Sequence, residues 1–544
     1  MDKNTEKRGR VAAAGRWGLC LALILIAGCG TPKVEREPKM AALAAKVNTI
    51  ETVQLEEQSK SQPLTIGQAT ERLAAVVVEP NQAGPAIQLT LDEVRAAALA
   101  NNLDLKVQMI DPAIAQQSLD IERAKFESTF FASARYARSD LIEGGATTSR
   151  RYEAGVSTPL QTGGEIVAGV PLTESGGIAQ AAASVSVVQS LLQGAGARVN
   201  LYSIQLAAYA KDRIDASTKL QAIYILSNAD VAYWYLYAAR KQLDVSREQY
   251  KMAQDQLDNA RHKVEAGSAA RIEIIRVESG LASRLDAMIS DETAVRYRER
   301  ELKRIMNRAD LPLNVQIDLI PMTDPDPRGM ELDTEALVAA ALENRMEMAV
   351  LESQLATNDI QLAFAKNNLL PTLEADYTFQ AGGMNTSRGH AVENVFDKTL
   401  TDHSVGLSSR IPLGNRAAQA RLRQARLVKV QTQVSRDVLE KEIRQEVYDA
   451  VDNLGQNWRR ILAAEQGVVR AHRSYKVELS QFQLGERTST EVLDAASSLA
   501  EAELRRIAAF VNYEIAQVAL ARATGTLLGY GQIRLQPYDD GSSS

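Results

Sequence analysis

Cysteine is scarce in this chain of 544 residues, and the two that occur, Cys20 and Cys29, both lie near the N-terminus. No thiol is left after position 29 for a disulfide or a cysteine-ligated metal. The four histidines stand apart from one another, and none belongs to an H-E-x-x-H motif. We therefore predict no metal, no cofactor and no catalytic residues, so the chain is not expected to be an enzyme.

Long apolar runs are missing as well. The most apolar stretch runs from Leu19 to Ala27, and at about ten residues it is shorter than the roughly 20 that a membrane helix needs. Five basic residues precede it: Lys3, Lys7, Arg8, Arg10 and Arg16. This order is typical of a secretory signal peptide, which we expect over residues 1–28. No later stretch could be a membrane helix, so a membrane-spanning part would have to consist of strands.

Basic charge is not in excess either. The formal net charge is −6, and the mature chain would be more acidic because the five basic residues leave with the signal. Nucleic acid is therefore not a predicted partner. Residues 29–88 are polar and contain five prolines, so we expect an N-terminal tether there, and residues 530–544 form a C-terminal tail.

An internal repeat organises the rest of the chain. Beyond the predicted strands the offset between matching residues is constant, so that Glu273 corresponds to Glu491 and Leu281 to Leu499. Residues 89–310 are predicted to form the first copy and residues 331–529 the second. Residues 311–330 are the linker between them.

Proline is absent between Pro171 and Pro312 and again between Pro412 and Pro537, so both intervals permit uninterrupted helix. A helix from about residue 197 to residue 265 would be roughly 100 Å long, and such rods must pack on one another as coiled coils do. Each interval has one break, which predicts a helical hairpin. We call residues 265–268 the first tip and residues 484–487 the second tip.

Strand patterns lie at the opposite end of each copy. Apolar and polar residues alternate from Leu373 to Gln380, and again from Ser404 to Ile411. This period of two gives one face for lipid and one for water. The first copy offers similar stretches at residues 130–136 and 184–187. Four strands cannot close a barrel, so several chains would have to contribute to one.

Residues 139–181 of the first copy have no counterpart in the second. They contain Tyr152 to Ser157 and Glu165 to Ala168, which could form either an extra hairpin or an external loop. The number of strands in the first copy therefore stays open.

The combination of motifs resembles the TolC-type outer membrane factor family over nearly all of residues 89–529. Three segments carry the resemblance: Phe482 to Ala495, Asn368 to Leu373 and Ile411 to Leu413. The resemblance implies a mainly α fold of tandem helix-strand-strand-helix repeats, assembled as a homotrimer. A 12-stranded β-barrel would lie in the outer membrane and continue as a long α-helical barrel through the periplasm.

The resemblance also implies roles for single residues. Glu491 and Asp494 would form acidic rings that constrict the channel, and Arg487 with Glu273 would latch the gate. The tips would dock a periplasmic adaptor through Ala266, Gly267, Ser268, Leu484, Gly485 and Glu486. The plain alternatives are solvated helix charges, a pair of surface charges that never meet, and ordinary helical turns.

The N-terminal segment Ile26-Ala27-Gly28-Cys29 resembles a bacterial lipobox, which implies lipidation of Cys29. By the same resemblance Gly30, which is not aspartate, implies sorting to the outer membrane. An ordinary cysteine in an unprocessed N-terminus is the alternative.

Two functions follow from these patterns. The first is an outer-membrane exit duct for passive export, working with an adaptor and an inner-membrane pump in a tripartite efflux or type I secretion system. The second is a structural, lipid-anchored coiled-coil protein without channel activity. The strand pattern in both copies favours the first, because a rod needs no alternating strands.

We expect Cys29→Ala to abolish incorporation of labelled palmitate into the protein in cells, because the thiol is the acceptor of the lipid. Cys20→Ala is the matched control and should leave labelling unchanged. Equal labelling of wild type and Cys29→Ala would contradict lipidation at this position.

Overall fold

The structure is a computed structural model that describes residues 66, 68, 85–141, 145–267, 270–396, 400–484 and 486–530. The chain divides into two compact units, residues 1–82 and residues 83–544. In the first unit the described residues are Ile66 and Gln68, and both are helical. The predicted signal peptide, Cys29, nearly all of the tether and the tail after Tyr530 lie outside the described residues.

Helices make up most of the second unit. Their bounds, in chain order, are α1 Leu91–Asn101, α2 Leu103–Gln108, α3 Asp111–Ala124, α4 Ala197–Asn200, α5 Tyr202–Glu265, α6 Arg271–Met306, α7 Thr334–Asn344, α8 Met346–Asn367, α9 Arg388–Phe396, α10 Arg416–Gln483, α11 Ser489–Ala523 and α12 Leu527–Tyr530. In the part of the chain that the structure describes, none of these helices has the length and the apolar character needed to span a bilayer.

The two predicted rods are confirmed. Helix α5 has 64 residues and α10 has 68, so each is about 100 Å long at 1.5 Å per residue. After each rod the chain reverses direction at a predicted tip and forms a shorter antiparallel helix. Helix α6 follows α5, and α11 follows α10. The four rods pack lengthwise, and α5 also lies against α11.

Burial along α10 follows a helical period. Ile443 and Val447 of α10 are buried against Val338 and Ala341 of α7. About two turns further, Leu454 packs against Tyr513 of α11 in a second cluster. At the other end of the rods, α5 contacts α3 and α8, and α8 contacts α10. The order of neighbours there is α3, α5, α8, α10, which leaves α3 and α10 as the outer helices.

The strands form two sheets. Strand β1 Ala86–Leu89 pairs in parallel with β6 Asp318–Pro321. The larger sheet has the order β2-β3-β4-β5-β7-β8 and is antiparallel throughout. Its strands are β2 Thr129–Leu141, β3 Gly145–Pro159, β4 Gly164–Ser175, β5 Ile178–Ser190, β7 Thr372–Asn385 and β8 Leu400–Arg410. The four strands that the pattern predicts are present.

The segment that the sequence left open forms β3 and β4, two full strands between β2 and β5. The chain therefore contributes six strands to the sheet rather than four. Gly155 of β3 is needed because a Cβ there would stand 2.8 Å from the Phe131 ring and 2.5 Å from the carbonyl oxygen of Ala168. The aromatic ring of β2 thus lies across the glycine backbone of β3.

The two faces of the large sheet differ in polarity. Residues directly opposite in antiparallel strands share a face, and one row reads Phe130, Val156, Ala168, Val185 and Phe379 across five strands. We call this the apolar face; the other, the polar face, carries a row of Ser157, Val167, Ser186, Thr378 and Ser404. On the apolar face Val405 is 82% exposed, whereas the distal part of β5 is covered by α9, where Ala391 and Val395 pack against Ala179 and Ala181.

The predicted linker is tightly held. The backbone N–H of Thr323 donates to the Tyr233 hydroxyl at 2.8 Å, and the Tyr513 hydroxyl donates to the carbonyl of Arg328. The Lys303 ammonium donates to the carbonyls of Val315 and Ile317. Helices from both copies therefore form hydrogen bonds with the linker. These bonds fix the two copies to each other.

A buried ion pair joins the start of the first copy to its rod. The Arg95 guanidinium donates to both carboxylate oxygens of Asp230, at 2.8 and 2.9 Å. Thr90 begins α1 with a capping box that includes Glu93.

Glu514 of α11 is buried where α11 meets the linker. Burial raises its pKa to about 7, and the nearby Asp326 carboxylate adds to the rise, although a backbone hydrogen bond from Asp326 opposes it. At pH values between the ordinary pKa of 4.5 and the raised pKa of about 7, the Glu514 carboxyl keeps its proton in the folded protein but loses it in the unfolded chain.

Stability should therefore fall as pH rises through this window. We expect Glu514→Gln to remove this loss, with a gain of about 3 kcal/mol at most at pH 8. Thermal unfolding in detergent at several pH values between 4 and 8 would measure it. Glu501→Gln, on the exposed side of the same helix, is the matched control. Identical pH profiles for wild type and Glu514→Gln would contradict the prediction.

Candidate functional site

The far ends of the two helical hairpins form the candidate site. Helix α5 ends at Glu265, and Gly267 follows with φ +73°, a conformation that glycine adopts at little cost. Among the described residues nothing lies within 4 Å of a Cβ at this position, so the backbone conformation is what calls for glycine. Ser268 and Gly485, both predicted docking residues, lie outside the described residues.

The two tips lie side by side. The Lys263 ammonium of α5 stands 3.9 Å from the centroid of the Phe482 ring on α10. Such a cation–π contact contributes about 0.5–1 kcal/mol at an exposed site. Nearer the middle of the rods, the Arg284 guanidinium of α6 donates to the Ser497 hydroxyl of α11. These links between the hairpins were not predicted, because a lysine or arginine on a helix surface gives no pattern in the sequence.

Arg487 makes its recorded ion pairs within its own hairpin. Its guanidinium donates to Glu491 at 2.7 Å and to the Gln481 side chain at 2.9 Å, and it lies 3.3 Å from Glu478. Glu273 forms an ion pair with Arg276 on its own helix at 2.8 Å. The latch between Arg487 and Glu273 stays a prediction.

Glu491 also has a structural role. Its carboxylate accepts hydrogen bonds from the backbone N–H and the hydroxyl of Thr488, at 2.8 and 3.0 Å, in a capping box that begins α11. The backbone N–H of Thr488 and the Arg487 guanidinium hold the pKa of Glu491 below its ordinary value. This carboxylate is therefore ionised at neutral pH, and Arg487 offsets much of its charge.

Asp494 differs from Glu491. It is exposed, one turn further along α11, and among the described residues the structure gives its side chain no ion pair or hydrogen bond. Of the two predicted ring residues, Asp494 therefore carries the less compensated charge.

Apolar side chains are exposed around the tips. Leu484 is 76% exposed, and Ile272 and Ile275 on the first turns of α6 are also exposed. Glu486 and Ala266, two further predicted docking residues, are exposed beside them. Within the described ranges, no group of three or more histidine, cysteine, aspartate or glutamate residues is placed to hold a metal.

Comparison with known proteins gives matches to outer membrane channels. A family model described as Outer membrane efflux protein matches residues 337–526. The outer membrane efflux protein BepC of Brucella suis is 20% identical over 343 residues, which cover 63% of this chain and 72% of BepC. The outer membrane protein TolC of Escherichia coli is 25% identical over 317 residues, covering 56% of this chain and 62% of TolC, so that match spans less than two thirds of the relative.

The fold is also similar to a solved structure. The Campylobacter jejuni CmeC outer membrane channel superposes with a TM-score of 0.62 at 15% identity, covering 84% of this chain and 91% of that one. At this identity the likeness establishes the shared fold.

Loss of the second-tip cap should loosen the tip locally. We expect Thr488→Ala to cost about 1 kcal/mol in the first turn of α11, and so to speed amide hydrogen exchange there several-fold. Thr90→Ala, in the capping box of α1, is the matched control and should speed exchange only in α1. Unchanged exchange at residues 490–493 would mean that other contacts hold the tip.

Proposed function

Because the chain belongs to the outer membrane efflux protein family, we propose that it is the exit duct through which an export system passes substrates across the outer membrane. The transport is passive and breaks no bond, so the residues that matter are those that line, close and dock the duct. The observation that carries the proposal is a sheet with an apolar face joined to helical rods about 100 Å long.

The large sheet is suited to the membrane. Its apolar face would contact lipid, and its polar face would contact the water-filled interior. Strands β2 and β8 are its edges and have no partner on their outer sides among the described strands. Unpaired backbone groups are costly in hydrocarbon, so other copies of the chain would complete the barrel.

The helices support assembly as a homotrimer. Within the described part of the chain, the outer helices α3 and α10 carry exposed apolar side chains: Ile114 and Ile121 on α3, and Val430, Val434 and Val438 on α10. Helix α3 leads into β2, and β8 leads into α10. One neighbouring copy could therefore cover a helix and a sheet edge together, and three copies would give a cylinder of twelve helices.

The tips would form the periplasmic entrance. In a threefold assembly Glu491 and Asp494 would each give a ring of three carboxylates, which attract cations and repel anions. Because Arg487 offsets Glu491, the Asp494 ring would dominate the selectivity. Opening would require moving the two tips apart, against the Lys263–Phe482 contact and the predicted latch of Arg487 with Glu273.

The same tips would dock a periplasmic adaptor. The exposed side chains of Leu484, Ile272 and Ile275 offer apolar area that an adaptor could bury. The adaptor would connect the duct to an inner-membrane pump, in either an efflux or a type I secretion system. A lipid on Cys29 would fix the N-terminus in the outer membrane.

Conductance in planar bilayers tests the proposal. We expect the wild type to show small, cation-selective openings, and Glu491→Gln/Asp494→Asn to lose most of that selectivity. Glutamine keeps the capping box, so this variant removes charge without removing the cap. Of the two single variants, Asp494→Asn should have the larger effect.

Glu393→Gln, on α9, which packs against the sheet, removes one charge far from the entrance and should leave conductance and selectivity unchanged. Wild-type protein that is folded and trimeric but conducts no ions would contradict the duct. That result would favour the lipid-anchored rod.

A further inference from the structure

The hairpin of β3 and β4 crosses the full height of the sheet. Strand β3 pairs with β2 from Gly145 to Ser157, and β4 pairs with β5 from Gly164 to Ser175. Both ladders therefore continue from the distal end of the sheet to the proximal end, where the strands meet the helices.

The turn between β3 and β4 is anchored at the proximal end. The carbonyl of Thr162 accepts a hydrogen bond from the Gly196 N–H at 2.8 Å and one from the Gln189 side chain at 2.9 Å. Gly196 lies directly before α4, at the junction of strand and helix. The hairpin is thus tied to the base of the sheet and does not project from its outer end as an external loop.

We propose that β3 and β4 belong to the membrane wall, so that three copies with six strands each close a single barrel of eighteen strands. In this barrel β8 of one copy pairs with β2 of the next. The inference rests on the proposed function, because it requires the trimer. It differs from the twelve strands that the family resemblance implies.

The apolar face supports this placement. Tyr152 and Val156 on β3, and Val170 on β4, are exposed on the apolar face. They continue the apolar surface of β5, β7 and β8, which carry Val185, Tyr377 and Val405 on the same face. A hairpin outside the membrane would gain nothing from such side chains, whereas a strand in the wall must present them to lipid.

The circumference of the barrel also supports eighteen strands. Strands about 4.8 Å apart and tilted by about 40° give eighteen strands a circumference of about 110 Å, and twelve strands only about 75 Å. Twelve helices spaced about 9 Å apart make a cylinder of about 110 Å. An eighteen-stranded barrel would therefore continue the helical cylinder at equal width.

The outlet would then be no narrower than the rest of the duct. Among the described parts of the duct, the closable entrance at the tips would be the restriction on cargo size, and bulky or polymeric cargo that passes it would meet no narrower ring of strands in the membrane. The inserted hairpin thus sets the cargo size that the outer membrane portion can pass.

Distances between copies test the strand number. A spin label on Gln380→Cys, on the polar face of β7, gives one distance between symmetry-related labels of the purified trimer. The same label is placed in a chain that lacks residues 145–175, in which β2 connects directly to β5. We expect the distance to shrink by about a third in the deleted chain, because barrel diameter grows with strand number. An unchanged distance would overturn the proposal.

Cross-linking tests the same point if the deleted chain does not fold. With a flexible bis-maleimide, Ser404→Cys on β8 should link to Ser133→Cys on β2 of the next copy and give covalent trimers. The control pair, Ser404→Cys with Val167→Cys on β4, should not link copies. Links to β4 would place β2 and β3 outside the wall and overturn the proposal. A full chain that shows no distance and no link between copies would instead overturn the trimer itself.

Discussion

Backbone hydrogen bonding at the edges of the large sheet constrains everything else in this molecule. Strands β2 and β8 each present a row of N–H and C=O groups to whatever lies beside them, and hydrocarbon offers no partner for these groups. The helices next in the chain, α3 and α10, present apolar side chains on the same sides. A neighbouring copy could satisfy both needs at once, so under the proposed function assembly is a condition of insertion into the membrane.

Much of the helical part could be predicted because its signals are local. No proline lies between Pro171 and Pro312, which permits the long helices α5 and α6. Gly267 indicates the turn between them. Burial of Ile443 and Val447 follows from their spacing. Strand β7 was predicted in the same way, because apolar and polar residues alternate from Leu373 to Gln380 without interruption. In each case the neighbouring residues alone determine the element.

The hairpin of β3 and β4 was harder to predict for a physical reason. Pro171 cannot donate to a ladder and usually indicates an edge strand or a loop, yet it lies in an interior strand opposite Glu153. Gly155 is tolerated because the Phe131 ring covers it, and that contact exists only after the strands pair. At the tips, likewise, the capping role of Glu491 depends on a local match with Thr488, but the Lys263–Phe482 contact depends on how two distant hairpins pack.

The pairing of β5 with β7 has a consequence for how the protein reaches its final state. It brings Val185 against Phe379, nearly two hundred positions later, with both helices of the first hairpin between them. Strands β2 to β5 are consecutive and can form a meander as soon as they emerge, but β7 and β8 must wait for the rest of the chain. Closing so long a loop is slow. Until it closes, a half-built sheet with an exposed apolar face persists, and such an intermediate is prone to aggregation.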